Sequence, residues 1–308
     1  MSSTPQSTAK SIAAQVATHL APAFSVLGPD LDAYVRAHQT DRWMVFSDYV
    51  WRQKGRKVNT AAFTVVPGGN HFESNVRAVV SAARTDFKNA STVSDEMLEL
   101  LGDKRFYTFC FVSARDELFQ FTTVDGARAF IESAVDILGR ALDVRGYAEN
   151  YEKFRILQQE SRSKNFNFRL LGDILFISTL AAHIALQLAR RTKVNRFAWF
   201  SDRDKFVDAY QGIADAVISV VISEYWQEVE KGSAGPSLIG VARPELCTDR
   251  AWFDCMTRIP DYYAGAVAGW DLSSEVHELP LKYRQVLSVS AQSEQNMRII
   301  RVGNKAVR

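Results

Sequence analysis

Residues 174–189, ILFISTLAAHIALQLA, are the longest apolar run in the chain. A helix that is apolar on every side has to be covered on every side. A membrane-spanning helix needs about 20 predominantly apolar residues. This run is shorter than that and carries His183 and Gln187, so it reads as the centre of a buried helix over about 168–191. A chain of 308 residues can bury such a helix in one large α/β domain or two small ones. Hydrophobic residues at 47% and charged residues at 23% fit a soluble globular protein.

The start, MSSTPQSTAK, has no apolar h-region, so no secretory signal is expected there. Cys110, Cys247 and Cys255 have no C-x-x-C spacing and cannot all pair, which reads as reduced thiols. The expectation is a cytoplasmic protein with no membrane partner. A net charge of +2 neither requires nor excludes nucleic acid. The five histidines show no His-x-x-x-His, which argues against a histidine-built zinc site.

Around the apolar helix the pattern predicts helices at 8–21 and 28–38, then strands at 43–51 and 60–66. The polar RQKGRK between those strands makes them a hairpin. A helix at 71–84 and a strand at 105–114 follow. Next come an amphipathic helix from GARAFIESAVDILGRAL, a polar helical segment, and the long apolar helix. The pattern then predicts a strand at 196–201, a helix at 205–230, a strand at 237–242 and a last helix in IPDYYAGAVAGW. Pro260 suits the first turn of that helix. The order β-β-(α)-β-α-α-β-α-β-α predicts a mixed sheet flanked by helices. The expected division is a helical extension at 1–40, an α/β domain at 41–290 with a helical insertion near 125–165, and a tail at 291–308.

Two of the predicted strands end alike. WMVFSDYVW and RFAWFSDRDK each close an apolar run with Phe-Ser-Asp, delivering Asp48 and Asp202 to strand ends. Neighbouring strands lie about 5 Å apart, so on adjacent strands the two carboxylates would converge and repel unless a proton or cation intervened. Oxygen donors without histidine favour Mg²⁺ or Mn²⁺ over zinc. Asp261, in the first turn of the last helix, is the third candidate, and the small residues after it let that helix lie close on a sheet. Each acid also has a plain structural reading. Strand-terminal aspartates form turns, Ser201 or Asp202 can cap the following helix, and Asp261 can offset the helix dipole.

Together, VFSDYVW, AWFSDRD and IPDYYAGAVAGW resemble marks of the ribonuclease H-like (integrase-like) superfamily. The likeness is to a bacterial and phage branch with an Asp-Glu-Ser-Gly first strand and a closing helix similar to ADLIAGA. After Asp48 this chain has Tyr49-Val50-Trp51 where that branch has Glu and Gly. The resemblance implies a ribonuclease H-like fold and two-metal phosphodiester hydrolysis of nucleic acid. Asp48 would bridge two Mg²⁺ or Mn²⁺ ions about 4 Å apart, with Asp202 and Asp261 each holding one side. It also implies a fourth acid, for which Asp173 and Glu73 are the nearest candidates. Arg203, Lys205 or Arg258 would hold the phosphate backbone, and the setting would be a phage or mobile element.

Other readings stay open. Asp202-Arg203-Asp204 is an Asp-x-Asp after a strand, as in haloacid-dehalogenase-type phosphatases, but downstream only scattered acids such as Asp249 and Asp254 follow. Sugar-nucleotide transferases also use Asp-x-Asp to hold Mn²⁺, and the opening hairpin fits them poorly. The main alternative is a catalytically inactive binding module of the same fold. It would act as a homo-oligomer or on a partner protein through aromatics of the last third, such as Trp199, Tyr225, Trp226, Trp252, Tyr262, Tyr263 and Trp270.

Overall fold

The computed structural model describes Leu20, Phe24 and residues 28–303, apart from 70, 117–122, 141, 144–145, 202–204, 230–238, 243–252, 271, 273–274 and 293–295. The helix expected at 8–21 therefore lies almost wholly outside the described residues. Helix α1, Gly28–His38, leads into strands β1, Arg42–Val50, and β2, Val58–Pro67. Helices α2, Phe72–Ala82, and α3, Asp95–Leu101, flank a 3₁₀ turn at Phe87–Asn89 and precede β3, Tyr107–Ala114. Then come α4, Val124–Gly139, α5, Tyr147–Glu160, and α6, Phe168–Ala189. After these follow β4, Arg196–Ser201, α7, Lys205–Val229, β5, Ile239–Ala242, and α8, Arg258–Trp270. A second 3₁₀ turn, α9, Leu281–Gln292, and β6, Met297–Arg301, complete the described chain.

The fold is α/β, with one mixed sheet flanked by helices. Its strand order is β5-β4-β1-β2-β3-β6. β1, β2 and β3 form an antiparallel meander, β4 and β5 run parallel to β1 on one side, and β6 runs parallel to β3 on the other. β1 and β2 turn at Gly55, whose φ of +84° favours a residue without a Cβ.

Side chains alternate across a strand, and both faces of this sheet are covered. Trp43 and Val45 of β1 enter a core shared with α1, α4, α5, α6 and α7, whereas Met44 and Phe46 face a second core shared with α2, α3, α8 and α9. That double burial explains why every residue of β2 after the first is buried.

α6 is buried from Leu171 to Leu188, as its all-round apolarity requires. It is the one helix among the described residues long and apolar enough to cross a membrane, and 94% of its most apolar window is buried inside the fold. Three of its polar side chains have partners within the fold. Thr179 Oγ1 donates to Leu175 O at 2.6 Å, His183 Nδ1 lies 3.0 Å from Thr179 O, and Arg52 grips the Asp173 carboxylate at 2.8–3.0 Å.

Four features differ from the sequence expectation, the first being helix α3, Asp95–Leu101, between the helix expected at 71–84 and the strand expected at 105–114. α7 is interrupted at Ala209–Gly212, where Tyr210, Gln211 and Gly212 adopt left-handed backbone. The Tyr210 hydroxyl donates to Asn167 O at 3.0 Å and its ring stacks on Phe166, so contacts outside the helix hold the break. α9 falls in a stretch with no helix expected. β6 falls within 291–308, read as a tail, yet it pairs with β3 from Met297 to Arg301. Arg298 of β6 pairs with Asp30 of α1, placing charge along the sheet edge.

Candidate functional site

The repeated Phe-Ser-Asp of the sequence is a repeat in space. β1 and β4 place Phe46 opposite Phe200 and Ser47 opposite Ser201. The two phenyl rings stack with centroids 4.9 Å apart and planes 16° from parallel, in the core that includes α8. The serines alternate to the other face, where both are buried. There the Tyr49 hydroxyl joins them, at 2.5 Å from Ser47 Oγ and accepting from Ser201 Oγ at 3.2 Å. Trp199 Nε1 donates to Ser47 Oγ at 2.7 Å. Alternation then returns Asp48 to the α8 side. Asp202 follows Ser201 as Asp48 follows Ser47, and it lies outside the described residues.

Asp48 lines a cleft of about 630 Å³ at the C-terminal end of β1. Crevices beyond the carboxyl ends of strands are the usual ligand sites of open α/β sheets. Asp261 lines the same cleft from the first turn of α8. The structure thus brings two of the three expected acids to one place. Asp48 Oδ1 accepts from Tyr49 N at 2.7 Å, and Asp261 Oδ2 accepts from Phe87 N at 2.8 Å. Asp261 therefore ties the 3₁₀ turn to α8, beyond the dipole compensation its position suggested.

That turn forms one wall. Asp86 pairs with Arg258 of α8, and the Tyr262 hydroxyl donates to Thr85 O at 3.1 Å. Burial, with the Asp261 carboxylate beside it, pushes the Tyr262 hydroxyl pKa up. A Cβ on Gly265 would meet the Phe87 ring at 2.3 Å, and one on Gly269 would meet the Tyr283 ring at 2.2 Å. These small residues make room for aromatic walls of the cleft, while the rest of the helix packs on β1 and β2. Among the described residues, Asp48, Asp86 and Asp261 supply negative charge to the cleft, and Arg56, Lys88, Arg258 and Lys282 supply positive charge. With Asp86 offset by Arg258, Asp48 and Asp261 share the cleft with Arg56, Lys88 and Lys282.

The fourth-acid expectation is corrected. Asp173 lies on α6, in the core on the opposite face of the sheet, held by Arg52, and Glu73 is exposed in an i,i+4 pair with Arg77. Neither lines the cleft. Arg258 does line it, whereas Arg203, Asp204, Asp249 and the Lys205 side chain lie outside the described residues. Among the described residues no group of three or more His, Cys, Asp or Glu forms a metal cage. The expected aromatic surface is also revised, because Trp199, Tyr262 and Tyr263 are buried in the core and Trp270 packs against it. Tyr225, Trp226 and Trp252 fall outside the described side chains.

Sequence reasoning missed Arg56, Asp86, Phe87, Lys88, Lys282 and Tyr283. They come from three separate segments, and no local pattern joins them. A scan against protein-family models and searches of the curated proteins and the solved structures found no match.

Proposed function

We propose that the protein hydrolyses phosphodiesters of nucleic acid in this cleft, with Asp48, Asp202 and Asp261 holding Mg²⁺ or Mn²⁺ on a ribonuclease H-like fold. The observation that carries the reading is the convergence of Asp48 and Asp261 on one cleft that also holds basic side chains. The in-register pairing of Ser47 with Ser201 supports a place for Asp202 in the same constellation. The antiparallel meander followed by parallel β4 and β5 supports the fold assignment.

The donor set suits a hard divalent cation, because among the described residues the cleft lining offers carboxylate and hydroxyl oxygens and neither histidine nor cysteine. When bound, such a cation supplies an acidified water and offsets charge on the phosphate. The chain's own part is to fix the carboxylates and to orient the substrate. Phe87 N fixes one Asp261 oxygen, Tyr49 N fixes one Asp48 oxygen, and Arg56 and Lys88 of the cleft lining would bind phosphate oxygens.

The second reading, a non-catalytic binding module, is favoured by the bond from Phe87 N to Asp261, which gives that acid a structural task. Cleavage of mixed single- and double-stranded DNA and RNA in Mn²⁺ separates the two. Hydrolysis by the wild type that is lost in Asp48→Asn supports the enzyme. Equal cleavage by both proteins, or none by the wild type, rejects the enzyme, and in the second case nucleic-acid binding without turnover supports the module.

A further inference from the structure

We infer that Lys282 is a positioning residue, the lock that holds residues 86–90 against Asp261, and not a phosphate ligand. A lysine lining a cleft of this kind invites the second reading. An ammonium has three N–H groups, and here backbone carbonyls answer all three. Lys282 Nζ donates to Phe87 O at 2.9 Å, to Ala90 O at 2.9 Å and to Lys88 O at 3.5 Å. It also stands 4.7 Å from the centroid of the Phe87 ring and 5.6 Å from that of Tyr283. Engaging a phosphate would mean releasing the turn.

The turn in turn acts on the cleft. Its Phe87 N–H is on Asp261 Oδ2 and its Asp86 is on Arg258. One helical turn beyond Lys282, Gln285 does the same for the next stretch, accepting from Val93 N at 3.0 Å and donating to Val93 O at 3.3 Å. α9 therefore presents two side chains at i,i+3 to one strand of backbone. The Lys282 end is relayed to Asp261 through Phe87 N. Gly265 and Gly269 leave the space that the Phe87 and Tyr283 rings fill beneath the lock. Among the described residues, Arg56 and Lys88 are left as the cleft's cations for an anion.

The metal arm of the test rests on the proposed function, and the exchange arm does not. Amide hydrogen exchange and Mn²⁺ calorimetry are measured on the full chain for wild type, Lys282→Met, Lys282→Arg and Gln285→Ala. Losing charge-assisted hydrogen bonds in Lys282→Met should speed exchange at Phe87 by about tenfold or more, with β2 and β3 amides unchanged. Mn²⁺ affinity should fall about tenfold with it. Lys282→Arg should restore both, and Gln285→Ala should speed exchange at Val93 while leaving Mn²⁺ affinity alone. Unchanged exchange at Phe87 in Lys282→Met would overturn the lock, as would faster exchange with undiminished Mn²⁺ binding. Should Lys282→Met loosen β2 as well, Lys282→Arg decides, slow Phe87 exchange supporting the lock and fast exchange overturning it. A wild type that binds no Mn²⁺ rejects the metal reading, while exchange at Phe87 still decides the lock.

Discussion

The two faces of the sheet use the same strands for different ends. Toward α6, β1 and β4 send Ser47, Tyr49, Trp199 and Ser201 into a closed hydroxyl and indole network, every member of it buried. Toward α8 they send the stacked Phe46 and Phe200, and at the tip of β1 Asp48 opens onto the cleft. A one-residue step along the strand changes the face, although Tyr49 of the network also borders the cleft. The hydroxyl and indole network on the α6 face is closed within the fold, and Asp48 on the α8 face meets a cavity wide enough for a ligand.

Changes on the α6 face should therefore cost stability and leave the cleft's chemistry alone. The largest effect is expected from Arg52→Met, which strands the Asp173 carboxylate at 7% side-chain exposure. Losing one partner of a buried pair costs about 3–5 kcal/mol, measurable by urea unfolding. Replacing Asp173 with Leu in the same protein should recover much of the loss. Unimpaired stability in Arg52→Met would break the contrast between the faces.

Acid tests the same face. Burial depresses the His183 pKa to about 4. An unfolded histidine takes up a proton as pH falls through about 6.5, whereas the folded one does so only near 4. His183 thus contributes stability that is present above pH 6.5 and is lost as pH falls toward 4. The loss amounts to roughly 3 kcal/mol at most. The difference in unfolding free energy between pH 7 and pH 4 should shrink by about that much in His183→Leu. An identical pH profile would reject the assignment.

On the α8 face the effects should be smaller for the fold and larger for the site. Gly265→Ala would drive a methyl into the Phe87 ring. Overpacking of this kind costs about 1–3 kcal/mol, which the better helix propensity of alanine offsets by up to about 1 kcal/mol. Thermal unfolding checks the sum, and a stabilised variant would mean the ring is loosely held. Asp48→Asn should change stability least, by under about 1 kcal/mol, because its amide keeps the shape and removes charge in a partly exposed position.

Much of the α6 face was legible in the sequence, because long periodic segments declare themselves. The apolar run of α6, the β1–β2 hairpin and the strand ending at Ser201 all lie where the pattern put them. The cleft was legible only through acids at element ends. α9, LKYRQVLSVSAQ, has its polar and apolar residues poorly segregated, and β6, MRIIR, is short and carries two arginines among its five residues, so neither announced itself. The turn at residues 86–90 owes its place to Lys282, nearly 200 residues away along the chain, and no local pattern encodes such a contact. Asp173 misled because acidity alone says nothing about which side of a sheet a residue occupies.

The proposed function requires Asp48 to belong to a cation site in the cleft. Calorimetric titration of Mn²⁺ into wild type and Asp48→Asn, both confirmed folded, tests it most directly. The account predicts saturable binding to the wild type that weakens at least tenfold in Asp48→Asn. Absent binding in the wild type, or equal affinity in the two proteins, would contradict it.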